Sequence, residues 1–304
     1  MLCRVVELRR DRMNDKKEVF MRKKYVAYCA LFIVVSLLFL GCDALISNAY
    51  KSLGLGQPDP EKIAQNNADV IIEESGITSA QGLSSEYVKK IAKDDQAKEA
   101  VLGKLGDVVD SSSATKEEKQ AAQALIIDVK LSSIDADIVA KNVNLVIGDL
   151  LNTAQEGQEV KPADIIDKIL PAELSNDEGK LAKFIDDLAA LGSDVDTFAQ
   201  IIDESDKIPA EGLDIATIAQ TAAIIKFVDI LEPAPGISSP GEAVAKAVMD
   251  WKVDPKADVS QYFAEEPDFE SLKDDPSLAT LFEASGIDLE SLFGESNSSE
   301  GSST

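Results

Sequence analysis

The chain has 304 residues, of which 45% are hydrophobic and 5% aromatic, and its 55 Asp or Glu against 30 Lys or Arg give a formal charge of −25. So acidic a chain repels phosphate backbones and anionic headgroups, which weighs against nucleic acid as a partner. It has no histidine and only three cysteines, Cys3, Cys29 and Cys42, which removes the usual zinc sites and the Ser-His and Cys-His triads from consideration.

Met1 to Phe20 is mixed and charged, unlike the start of an export signal, whereas Met21-Arg22-Lys23-Lys24 is an ordinary basic n-region. Residues 1–20 therefore read as an upstream extension, with translation expected to begin at Met21. Lys17-Glu18-Val19 fits that start, since AAG GAG GTN contains a bacterial ribosome-binding sequence at a suitable distance before an ATG. Tyr25 to Leu40 is an apolar run of 16 residues, shorter than the roughly 20 that cross a hydrocarbon layer of about 30 Å. The run exits through Leu38-Phe39-Leu40-Gly41-Cys42.

Residues 21–41 followed by Cys42 resemble the signal peptide and lipobox of bacterial lipoproteins. The resemblance covers the leader and Cys42, and no family is recognised for the rest of the chain. It implies cleavage between Gly41 and Cys42, a diacylglyceryl group on the Cys42 sulfur, and acylation of the new amino group, with no other cofactor. An uncleaved anchor with an incidental cysteine is the alternative. Asp43 resembles the inner-membrane retention signal of enteric lipoproteins. That rule differs between bacterial groups, so the expected address is the extracytoplasmic side of a membrane, periplasmic or at the cell surface.

Cleavage would remove nine basic and four acidic residues, leaving 21 lysines against 51 acids and a formal charge of −30. Every arginine, at positions 4, 9, 10, 12 and 22, lies in the leader. Cys42 would be the only cysteine left, so no intramolecular disulfide can form, and a chain of this length must draw its stability from packing. Each buried lipid methylene contributes about 0.8 kcal/mol, so two or more chains hold the protein without help from its body. Residues 42–58, interrupted by Gly54, Gly56 and Pro58, read as a tether with a root-mean-square reach of about 20 to 24 Å if flexible.

From residue 59 the pattern is helix after helix. Asp59-Pro60-Glu61 supplies an N-cap with proline at the first helical position, and Gly76 closes the segment. Thr115 with Glu118, and Ser175 with Glu178, have capping-box spacing. Val139, Val143, Val146 and Leu150 stripe one helical face, as do Leu181, Ile185, Leu188 and Leu191. Gly192 reads as the stop of the latter helix, with Ser193-Asp194 as the next cap. Ile215 to Leu231 contains only Lys226 and Asp229 as charged residues, which marks it as the central core helix; its length and interior polar groups argue against a second membrane span.

Two-residue alternation and Asn-Gly or Asp-Gly hairpin signals are scarce, so the expected fold is all-α, an irregular multi-helix bundle divisible into two sub-bundles. Breaks at Gly157 to Lys161 and Pro233 to Pro240 suggest a main helical domain over 59–232 and a smaller C-terminal subdomain over 233–293. A regular period of about 30 to 45 residues, as a solenoid requires, is not found. Residues 294–304 are polar and serine-rich and read as a disordered tail; Asn297-Ser298-Ser299 within it is an accidental glycosylation tripeptide.

Motifs for chemistry are scarce. No Gly-x-x-x-x-Gly-Lys loop occurs, and no Gly-x-Gly-x-x-Gly follows a credible strand. Asp194 and Asp196 begin like a calcium loop, but Phe198, Ala199 and Ser205 stand where a ligand, the turn glycine and the bidentate glutamate belong, so no metal is expected there. Glu73-Glu74 and Glu265-Glu266 are carboxylate pairs of the kind glycosidases use, although adjacent acids on a helix point in different directions. Trp251, Tyr262, Phe263 and Phe269 gather much of the aromatic content between Met249 and Phe269. They are the candidate contacts for a partner, or else the small core of a terminal subdomain. The expectation is a non-catalytic, lipid-anchored envelope protein that reaches the membrane through its anchor and binds another envelope protein. The alternatives are a carboxylate-dependent cell-wall glycan hydrolase and a lipid-tethered small-ligand receptor.

Overall fold

The structure, a computed structural model, describes residues 59–78, 85–136, 138–139, 142, 162–265 and 269–287, with the backbone alone at 85, 162–165 and 269–270. The leader with Gly41 and Cys42, the tether, Val143, Val146 and Leu150, the break at 157–161 and the 294–304 tail lie outside the described residues. The described part is all-α, and no strand occurs among the described residues; one antiparallel bridge joins Pro233 to Phe263. No helix among the described residues is long and apolar enough to cross a membrane.

In chain order the helices are α1 (Pro60–Gln65), α2 (Ala68–Ser75), α3 (Ser85–Lys93), α4 (Asp95–Asp110), α5 (Lys116–Ser133), α6 (Pro162–Ile169), α7 (Ala172–Ser175), α8 (Glu178–Ala189), α9 (Gly192–Glu204), α10 (Ile215–Asp229), α11 (Pro240–Val253), α12 (Phe269–Lys273) and α13 (Pro276–Ser285). Local chemistry explains most of their ends. Asp59 accepts from the Glu61 N–H ahead of Pro60, and Thr115 and Glu118 form a complete capping box at the start of α5.

Three boundaries differ from the sequence reading. Asn67 accepts from the Val70 N–H and starts a new helix, so the 59–76 segment is two helices. Asp177 rather than Ser175 accepts from the Lys180 N–H; Ser175 is buried at the end of α7. Gly192 is the first residue of α9, which has no side-chain cap because its N-cap residue is Leu191; Asp194 lies within the first turn and its carboxylate is taken by Lys130.

The chain groups into two compact units, each built from separated stretches. One unit takes Ile138–Asp187 and Val228–Pro267; the other takes the described residues up to Asp137, Leu188–Phe227, and those from Asp268 onward. The sequence reading divides the chain once, near residue 233, because it follows chain continuity; the compact units follow contacts.

In the second of these units the most enclosed helix is α5, where residues 120 to 129 are all buried. It packs against α2, α3, α4 and α9. Sequence apolarity pointed instead to Ile215–Leu231, yet α10 is buried only along Ile215, Ala219, Ala222, Ile225 and the Phe227–Val228 end. The physical reason is residue size and polar satisfaction. Ala121, Ala122 and Ala124 let neighbouring helices approach α5, and its buried glutamines are bonded: Gln120 donates to the Ile208 carbonyl at 3.0 Å and accepts from the Ala210 N–H, while Gln123 donates to the Asp194 carbonyl at 2.9 Å.

Two helices of this unit end in the same way with different residues. At α13, Gly286 is left-handed (φ 71°), and the N–H groups of Gly286 and Ile287 bond back to Glu283 and Phe282. At α9, Asp206 holds the equivalent position (φ 54°), with Asp206 and Lys207 bonding back to Asp203 and Ile202, and Lys207 is left-handed too (φ 60°). These are Schellman ends, at which a side chain costs about 1 kcal/mol relative to glycine. A β-carbon on Gly286 would meet no atom within 4 Å, so conformation alone is at issue. Gly286→Ala is expected to lower stability by about 1 kcal/mol, and Asp206→Gly to raise it by a similar amount, both read by chemical denaturation.

Candidate functional site

The aromatic segment singled out by the sequence lies in the unit made of Ile138–Asp187 and Val228–Pro267. Trp251, on α11, is buried and packs with Ile166, Ala247 and Val259, with Tyr262 and Phe263 half-buried beside them. Its indole N–H donates to the Pro255 carbonyl at 3.0 Å, so its one polar atom is satisfied internally. The 3₁₀ turn Val259–Tyr262 carries Tyr262 back over α11, where its hydroxyl donates to Asp250; that bond holds the phenol above its ordinary pKa. Ala234 donates to the Tyr262 carbonyl at 3.0 Å and Ala264 to the Glu232 carbonyl at 2.9 Å, tying the segment to the Pro233 stretch. Phe269 begins α12 in the other unit, and its side chain lies outside the described residues. Trp251, Tyr262 and Phe263 are thus brought together, with Trp251 inside the cluster and the other two at its margin.

Several helices in this unit are joined through polar groups that the sequence did not single out. Asp186 on α8 accepts from the Ser239 hydroxyl at 2.7 Å and the Gly241 N–H at 2.8 Å, capping α11 from a neighbouring helix. A β-carbon on Gly241 would stand 2.2 Å from the Ala182 carbonyl oxygen, so only glycine permits this approach. Lys252 bonds Asp167 and the Ser175 carbonyl, each at 2.6 Å. Glu242 accepts from the Ser238 side chain and backbone N–H, then from Lys246, and these bonds lower its carboxyl from 4.5 to about 2.

In the other unit the two calcium-like aspartates are held by lysines. Asp194 receives Lys130 on both oxygens, at 2.8 and 2.7 Å. Asp196 receives Lys226 at 2.6 Å and the Ser277 hydroxyl at 2.6 Å, and Lys226 also approaches Asp275 at 3.7 Å. Burial raises the Asp196 pKa, but the Lys226 and Ser277 bonds with the lysine charge outweigh it, and the net shift is downward. No group of three or more metal-ligating side chains occurs among the described residues.

Of the carboxylate pairs, Glu74 accepts from the Tyr87 hydroxyl and the Asn66 amide, each at 3.2 Å. Burial, then the Glu74 charge and bond, push the Tyr87 phenol upward. Glu73 and Glu265 are exposed, and Glu266 lies outside the described residues. An open cleft of about 620 Å³ has walls that include Gln65, Asn66, Asn67, Lys104, Asp107 and Ser111 and carries no aromatic side chain. Lys104 is engaged there by the Ala64 and Asn66 carbonyls at the end of α1.

No family model, curated protein or solved structure matches this chain.

Two measurements follow from this geometry. Trp251→Ala is expected to cost about 3 kcal/mol or more, seen in the melting of its unit, whereas Phe263→Ala at the cluster margin should cost less. Because the Glu242 pKa is lowered on folding, its stabilisation is present above pH 4.5 and is lost as pH falls toward about 2. Glu242→Gln should therefore be less stable than the parent at pH 6, and the gap should narrow below pH 4.5 and vanish as the pH falls through about 2 in parallel denaturation series.

Proposed function

We propose that this protein is a lipid-anchored, acidic, helical envelope lipoprotein that binds or scaffolds another envelope component without catalysing a reaction. The observation that carries the reading is Gly41-Cys42, placed directly after a basic cluster and an apolar run too short to span a bilayer. Lipid on Cys42 supplies the membrane attachment, and residues 42–58 space an all-α body from the surface. The polar chemistry of that body supports a binding role. Asp194 and Asp196 are neutralised by lysines, Asp186 caps a helix, and Glu74 is held by Tyr87 and Asn66. These carboxylates hold the fold together, which leaves a strongly acidic exterior as the feature a partner would meet.

Intact mass spectrometry of the membrane-extracted protein tests the anchor. The expected mass begins at Cys42 and carries a diacylglyceryl increment, with or without a third acyl chain. Cys42→Ala is expected to retain residues 21–41 and to lose the increment. A free Cys42 thiol in the native host would overturn the reading.

A further inference from the structure

We propose that the loop after α9, residues 205–213, is a docking surface anchored by Ile208, and that its partner is a protein presenting an apolar socket rimmed by lysine or arginine. Ile208 is 67% exposed, a state that is ordinary for one aliphatic side chain on a mobile loop. This loop is held in place instead. The buried Gln120 of α5 grips it with both ends of its amide, donating to the Ile208 carbonyl and accepting from the Ala210 N–H. Lys207 pairs with Glu283 on α13, and Lys116 donates to the Glu204 carbonyl. Ala210 and Leu213 are buried. The chain reaches Ile208 through two consecutive left-handed residues, Asp206 and Lys207, a backbone path that persists only where surrounding contacts enforce it. An apolar side chain carried on a backbone already held in place spares the cost of ordering the loop on binding, which favours its use as an anchor.

Charge identifies the occupant. Asp203, Glu204, Asp206, Glu211 and Asp214 are all exposed in this stretch, and Lys207, the only cation of residues 203–214, is already paired with Glu283. A cationic rim complements that ring. A second copy of this chain and an anionic bilayer both carry the same negative sign as the loop and are repelled by it. The proposal rests on the binding role given above but not on the lipid, so each fails separately: the anchor by mass, the loop by affinity.

The test uses the full chain, titrated with a synthetic amphipathic Leu/Lys helix, with its Leu/Glu counterpart, and with phosphatidylglycerol vesicles. The Leu/Lys helix is expected to bind, and Ile208→Ser to weaken it about tenfold or more. Val253→Ser, at the other strongly exposed aliphatic position among the described residues (87%), should leave binding unchanged, and Glu211→Lys should weaken it. Melting curves of the parent and Ile208→Ser should coincide, since the side chain is in solvent. The proposal is overturned by any of four results: no binding of the Leu/Lys helix, equal affinity of Ile208→Ser and parent, preference for the Leu/Glu helix, or vesicle binding that depends on Ile208.

Discussion

The constraint on which the structure depends is the shortage of positive charge. Beyond residue 41 every basic side chain is a lysine, 21 of them against 51 carboxylates, and the fold places several of those lysines between elements distant in sequence. Lys104 ties α4 to the end of α1, Lys130 ties α5 to Asp194 of α9, and Lys226 ties α10 to Asp196. In the other unit Lys252 reaches Asp167 and the Ser175 carbonyl. Exposed ion pairs contribute about 0 to 1 kcal/mol. Lys226 and Lys252, at 11% and 14% side-chain exposure, differ in that removing a partner would strand a largely enclosed charge. Lysines engaged in this way add to an acidity that the excess of carboxylates already sets, although others, among them Lys62, Lys93 and Lys180, are exposed.

That arrangement also explains why polar groups here read as structural. A carboxylate that caps a helix or receives a lysine has its lone pairs occupied and its charge stabilised, and Asp186, Asp194 and Asp196 all fall in this class. The exposed features are excess carboxylates, Ile208 on a loop held through its backbone, and the half-buried margin of the Trp251 cluster. They suit recognition by a partner, and under the proposed function a lipid on Cys42 would hold such a surface at the membrane.

The candidate site was legible in part. Clustering of Trp251, Tyr262 and Phe263, and a small core as one of their two roles, could be read from their spacing around Pro255 and Pro267, but not that the indole N–H would be satisfied on the Pro255 carbonyl. The Ile208 loop gave no sequence signal, because Gln120 and Ile208 are 88 residues apart and the left-handed positions carry Asp and Lys where a turn would ordinarily advertise itself with glycine. The polar links Lys130–Asp194 and Asp186–Gly241 were invisible for the same reason: each joins two helices whose pairing no local pattern encodes.

By itself, the sequence determined what depends on neighbours a few residues away: the helical class, the cap at Asp59, the box at Thr115 and Glu118, the apolar stripe from Leu181 to Leu191, and the sign of the surface charge. Those features follow from backbone hydrogen bonding and helical period, which act over three or four residues. Only the tertiary structure decided that α5 rather than α10 is the enclosed helix, and that Ile208 stands in solvent on a loop held by Gln120. Burial depends on which surfaces meet, and a face lined with alanine and bonded glutamine can be buried more completely than a more apolar one once neighbouring helices close around it.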